Sequence, residues 1–205
     1  MRPLYLVKCK GLSKELFISS SCVISHGAVR KDGKLIFSER YSDINDFLLA
    51  VYQCFKLGYP KFYKMDNLSK LGWLCAELLL QDTAINNQYD AYAKGVVLAN
   101  ANASLDADLR YFDSMDEVPS PALFVYTLPN IVIGEICIRH GFKGENLFFV
   151  QPRFDAAFIV QQLEYLLNQH KLQIGICGWW YVLGQDYKAG LFLVEKGYMP
   201  STQAF

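Results

Sequence analysis

The stretch Thr127–Arg153, TLPNIVIGEICIRHGFKGENLFFVQPR, decides how the fold is read. Pro129 suits a first helical turn, where its missing N–H is not needed. Ile131, Ile133, Ile136 and Ile138 supply apolar positions, and Gly134 leaves room for another backbone to come close. Arg139 and His140 place positive charge at the negative end of that helix, and Gly141 is the residue type that stops one. After a turn over Gly141–Asn146, the run Leu147–Val150 is short, unbroken and apolar, which predicts a strand buried on both faces. Such a strand delivers Gln151, Pro152 and Arg153 to the place where this architecture puts its chemistry.

Upstream, Ser42 or Asp43 can cap a helix through Phe47, Leu48, Val51, Tyr52 and Phe55, closing near Gly58. Asp66 or Asn67 caps a second, Leu68 to Leu80. Its Leu71, Trp73, Leu74, Cys75, Leu78 and Leu79 cover more than half its girth, so it must lie between layers or against a partner. Lys94–Asn100 reads as a central strand around Val96, Val97 and Leu98. Leu4–Val7 opens the chain as a strand with a turn over Lys8–Gly11, and Leu16–Ile24 is a strand or an irregular segment. Asp32-Gly33 supplies the positive-φ positions of an exposed hairpin turn. Ser104 or Asp106 starts a polar helix toward Met115. Strand and helix alternate, which predicts an α/β layered fold with helices covering both faces of a mainly parallel mixed sheet.

Composition narrows the function. The 205 residues are about half apolar, enough for a full core. Lysine plus arginine equals aspartate plus glutamate, 20 each, so nothing pulls the chain toward nucleic acid. No apolar run reaches membrane-spanning length and the N-terminus lacks a signal-peptide core, which predicts a cytoplasmic chain with no membrane partner. Six cysteines stand singly in apolar segments, with no C-x-x-C pair and no histidine at zinc-ligand spacing, so no metal and no cofactor is expected. The acids Asp106, Asp108, Asp113, Asp116 and Glu117 read as loop or solvated helix positions rather than a metal site.

The pattern PN…GE…IRHG-x-KGEN resembles the beta-ketoacyl synthases, the condensing enzymes of fatty-acid and polyketide synthesis. The resemblance is carried by Lys64–Leu80 and Ala122–Glu195. It implies a thiolase-like fold, with residues 1–205 as a single domain of the N-terminal-half type. In that family a strand leads to a nucleophilic cysteine at the start of a helix, and the matching count from Gly144 lands on Arg153. Glu145 also replaces the family's proline, and no cysteine lies between Cys137 and Cys177. Phe154–Leu167 has the spacing of the family's following helix; Leu172–Tyr181 and Ala189–Glu195 fall where it has strands. The family's two active-site histidines belong to a second half with no counterpart in this sequence.

A guanidinium is always protonated and has no lone pair with which to attack an acyl group. Arg153 instead pairs with Asp155 or faces solvent, or else binds an anion at the helix start. His26 falls in a loop, His170 at a helix end, and His140 in a turn. The resemblance therefore implies a non-catalytic pseudoenzyme, an interaction subunit comparable to a chain length factor. Its setting is fatty-acid or polyketide biosynthesis, for example of aryl-polyene type. The implied partners are a second copy, a full-length ketosynthase or an acyl carrier protein. Candidate pocket or partner contacts are Pro152, Arg153, Phe154, Asp155, Phe148, Phe158, Trp179 and Trp180, the last two at a buried strand end or a dimer seam. Two alternatives stand beside this one: an enzyme using a retained acyl-thioester pocket for decarboxylation or hydrolysis, and a scaffold or small-molecule binder unrelated to lipid metabolism.

Overall fold

The computed structural model describes residues 5–7, 16–116 and 120–196. The turn expected over Lys8–Gly11, Cys9 and the acid Glu117 lie outside them. The chain opens with strands β1 (Tyr5–Val7), β2 (Leu16–Ser25), β3 (Ala28–Lys31) and β4 (Lys34–Ser38). Helices α1 (Ile44–Cys54), α2 (Asn67–Leu80) and the short α3 (Ile85–Gln88) lead to β5 (Lys94–Asn100). Helices α4 (Leu105–Ser114), α5 (Pro121–Val125) and α6 (Ile131–His140) precede β6 (Asn146–Val150). The chain then runs through α7 (Ala156–Asn168), β7 (Ile174–Leu183) and β8 (Asp186–Lys196).

One eight-stranded sheet runs β4-β3-β2-β8-β7-β5-β6, with β1 paired to β2. It is mixed, as the alternation of elements implied, but its parallel share is smaller than expected. Only β5 pairs in parallel, with β6 and β7, and the other ladders among the described residues are antiparallel. The physical reason lies in the connections. His26-Gly27 and Asp32-Gly33 both take positive φ, the geometry of two-residue hairpins that match strand twist, and Gly184 sits in the β7–β8 turn at φ 59°. Parallel strands need a crossover, and only the helices after β5 and β6 provide one.

Helix α2 is the centre of the larger core, with all its residues buried except Lys70 and Glu77. Asp66 caps it, its Oδ1 accepting from the Ser69 N–H at 3.0 Å. Asp43 caps α1 in the same way, accepting from the Asn45 N–H at 2.7 Å. Trp180 reaches down from β7 to donate to the Leu68 carbonyl at 3.2 Å, which satisfies its indole N–H in a wholly buried place. Helices α1, α2 and α6 cover this face of the sheet, and α7 lies on the other. No helix among the described residues is long and apolar enough to cross a membrane.

Helix α6 departs from its sequence reading in three respects. It begins at Ile131, leaving Pro129 outside, and ends at Gly141 with φ 66° as expected. Gly134 is exposed and meets no neighbouring atom, so it accommodates no close backbone. His140 is the helix's last residue rather than a turn residue, and with Arg139 it converges on Glu77 of α2, at 3.1 and 2.6 Å. The strand that follows differs too: β6 is the outermost strand, with Asn146 and Val150 exposed, not a strand buried on both faces.

Burial pushes the Glu77 carboxyl up, but hydrogen bonds from His140 and Arg139 outweigh it and hold the group down at about 2. A depressed carboxylate stabilises the fold above its unfolded value and loses that contribution as pH falls through the folded one. Urea unfolding between about pH 5 and about pH 2 is therefore expected to show the protein losing more stability than Glu77→Gln. Equal losses in the two proteins would show that the α2–α6 clamp contributes nothing.

Candidate functional site

The chain leaves β5 through α4, α5 and α6, the last of these against the α2 face, but leaves the neighbouring β6 through α7 on the opposite face. Where adjacent parallel strands send their crossovers to opposite faces, a crevice opens at their carboxyl ends, and α/β sheets place ligands there. Here the crevice lies between Asn100, the last residue of β5, and the elbow Gln151–Asp155. The Gln151 N–H donates to the Asn100 carbonyl at 2.8 Å, which holds the elbow's first residue in the β5 ladder. The buried Asn100 side chain clasps Ala103, accepting from its N–H and donating to its carbonyl, both at 2.9 Å. That clasp holds Ala103 at φ 48° and turns the chain away from the crevice. Asn100 was visible as a polar end to an apolar strand, but nothing in its spacing announced this role.

Pro152, Arg153 and Phe154 are exposed in the elbow. Helix α7 begins at Ala156, so Arg153 precedes the helix and does not start it. Asp155 is the N-cap, accepting from the Phe158 N–H at 3.0 Å, and is not engaged with Arg153. Among the described residues, the ion pairs do not include Arg153. The guanidinium is thus presented outward beside a capped helix, with its charge available to an external anion.

The aromatic candidates do not form one surface. Successive strand residues point to opposite faces. Trp180 is wholly buried against α2, with Phe148 edge-on to it at 5.5 Å. Trp179 points to the α7 side, where Phe154 meets it edge-on at 5.9 Å. Phe158 packs in the same manner on Phe149 at 4.9 Å. Trp180 therefore cannot contact a partner, and the two tryptophans lie within a central strand rather than at a strand end or seam. Phe154, 55% exposed, and Phe158 remain available at the elbow.

Between α7 and the sheet lies a cavity of about 430 Å³, walled by Phe154 and Leu163 above and by Leu16, Ile18, Cys177 and Phe192 below. It arises because α7 covers β5 and β7 but leaves β2 and β8 open on this face. No lining side chain carries a hydrogen-bonding oxygen or nitrogen, so the cavity suits an apolar occupant. Burial pushes the Cys177 thiol up to about 12 and, lessened by a hydrogen bond to Asn146, the Cys137 thiol up to about 11. Both are protonated at neutral pH, and Cys177 lies mid-strand opposite Val97, in the floor of the cavity rather than in the elbow itself. His26, His140 and His170 sit on a hairpin turn, on α6 and just after α7, and none adjoins Arg153 in sequence or element. No group of three or more histidine, cysteine or acidic side chains among the described residues could hold a metal ion.

No protein-family model matches the chain, and no curated protein matches it in sequence. Solved structures match it in fold. The ishigamide ketosynthase/chain length factor aligns with a TM-score of 0.67 at 17% identity, over 92% of this chain and 63% of that one. The ketosynthase ApeO in complex with its chain length factor ApeC, from Xenorhabdus doucetiae, aligns at 0.60 and 13%, over 89% and 79%. The AntDE:AntF complex, a type II acyl carrier protein with its ketosynthase bound to the hexaketide, aligns at 0.62 and 11%, over 89% and 63%. The chain thus spans less than two thirds of the first and third of these. It has the thiolase-like fold of ketosynthases and chain length factors, and the resemblance read from its residues stands at that level.

The thiols provide a direct check of the site's geometry. Brief treatment of the native protein with iodoacetamide at neutral pH, followed by peptide mapping, is expected to alkylate exposed Cys54 and spare buried Cys75 and Cys177. Alkylation of Cys177 at a rate matching Cys54 would show a reactive thiol beneath α7.

Proposed function

We propose that this protein is a non-catalytic ketosynthase-like subunit that pairs with a ketosynthase, as chain length factors do, in polyketide or fatty-acid-like synthesis. The observation that carries this reading is Arg153, in the turn where the resemblance calls for a thiol. The protonated state of Cys137 and Cys177 and the separation of the histidines support it. So does the fold shared with a ketosynthase that its structure holds together with a chain length factor. The cavity beneath α7 favours holding an apolar chain over transforming one, because it presents no donor to orient a thioester carbonyl.

The pairing surface follows from the sheet. Strand β6 is an outer edge whose sequence, NLFFV, has neither charge nor proline to discourage pairing, whereas the opposite edge, β4, carries Lys34 and a register shift. The Gln151 N–H points to β5, so by alternation the Phe148 and Val150 N–H groups point outward. A partner strand adding there would bury the exposed Val150. A stable contact of this kind also removes an aggregation-prone edge.

Light scattering after co-expression with a full-length ketosynthase tests the pairing. The expected result is a one-to-one complex, lost in Val150→Pro, which removes an outward donor and leaves the β5 ladder intact. Circular dichroism verifies that the variant stays folded. A strictly monomeric protein, or a complex indifferent to Val150→Pro, would overturn the assignment of β6 as the seam.

A further inference from the structure

Helix α4 carries an unpartnered apolar stripe. Leu105, Leu109 and Phe112 are 42%, 51% and 70% exposed, and Met115, just past the helix, 52%. Their spacing of four and three residues puts the first three within about 60° of one another around the helix axis. Single exposed apolar residues are ordinary on a protein surface, but a continuous row of them marks a contact. The helix is not loose. Ala107 is buried opposite the stripe, and the helix is anchored at its start by buried Asp106, whose Oδ1 accepts from the Gly184 N–H at 2.9 Å, and by the Ser104 hydroxyl, which donates to the Thr127 carbonyl at 2.7 Å. The stripe therefore faces outward because the fold holds it there. Helix α5 extends it on one side, with Phe124 ring-to-ring with Tyr111 at 5.4 Å and 59% exposed.

The border of the stripe is acidic. Asp108 lies on one side of it and Asp113 on the other, with exposed Asp116 following. Arg110, the one basic residue of α4, is committed to Asp106 at 3.1 Å. The ion pairs among the described residues include none of Asp108, Asp113 and Asp116. An apolar centre with an uncompensated negative rim selects its occupant by charge. Anionic membrane surfaces and nucleic acids are repelled by such a rim, since both bind through lysine and arginine. A second copy of this chain, docked stripe to stripe, would set aspartates against aspartates.

We infer that the α4 stripe docks a different protein, one whose contact surface presents apolar side chains bordered by lysine or arginine. This stands independently of pairing along β6, which uses another element and backbone hydrogen bonds. Two synthetic helical peptides test it on the full chain: one with a leucine stripe flanked by lysines, the other with glutamates in place of the lysines. Fluorescence anisotropy is expected to show binding of the lysine peptide alone, weakening as salt is raised. Phe112→Ser should lower that affinity by about tenfold. Asp108→Asn with Asp113→Asn should remove most of the salt dependence. Phe112 and Asp113 are exposed, and Asp108 is half-buried beside the Ser104 hydroxyl, where an asparagine oxygen can still accept, so an unchanged melting temperature verifies the fold. Equal binding of both peptides, binding of neither, affinity unchanged in Phe112→Ser, or self-association of the chain that Phe112→Ser abolishes would each overturn the inference.

Discussion

The structure depends on where β5 and β6 send the chain next. A parallel pair has to be joined by a crossover, and here the two successive crossovers take opposite faces of one sheet. α6 is bound on the first face by Glu77 and by the apolar side of α2, and α7 closes part of the second. The elbow between β6 and α7 is therefore forced to the rim of the sheet, at the carboxyl ends of the strands. The same constraint leaves β6 without a neighbour on one side. The elbow and the open edge are two consequences of one topological choice.

Electrostatics then decides what the elbow can do. Asp155 spends its carboxylate on the α7 N-terminus, where a negative charge is favoured by the helix dipole. Arg153 is left with a permanent positive charge facing solvent, beside a cavity with no polar lining. Nucleophilic catalysis needs a group with a lone pair and a base to activate it, and the thiols nearest the elbow are protonated by burial. The surface offers outward backbone groups at β6, an exposed ring at the elbow and an apolar stripe on α4.

Much of this was legible in the residues. Asp43 and Asp66 marked their helices, the apolar girth of α2 announced its central place, and Lys94–Asn100 gave β5 at its observed bounds. What stayed hidden has physical causes. An outer strand can carry the same apolar run as a buried one, so Leu147–Val150 did not reveal its exposed edge. Strand alternation separates Trp179 from Trp180 onto opposite faces, yet their adjacency in sequence suggested one cluster. The α4 stripe was hidden because Asp106, Asp108 and Arg110 stand between Leu105, Leu109 and Phe112, and the segment reads as polar until its residues are placed around an axis. Arg153 lies in the turn between β6 and α7, and the two residues separating it from the first turn of α7 follow only from the cap that Asp155 makes.

Covalent loading at the elbow is tested most directly by intact-protein mass spectrometry after incubation with an acyl-coenzyme A thioester. An unchanged mass is expected, because no deprotonated thiol stands where Arg153 does. A gain of one acyl group, released by hydroxylamine, would contradict it and return the protein to the condensing enzymes.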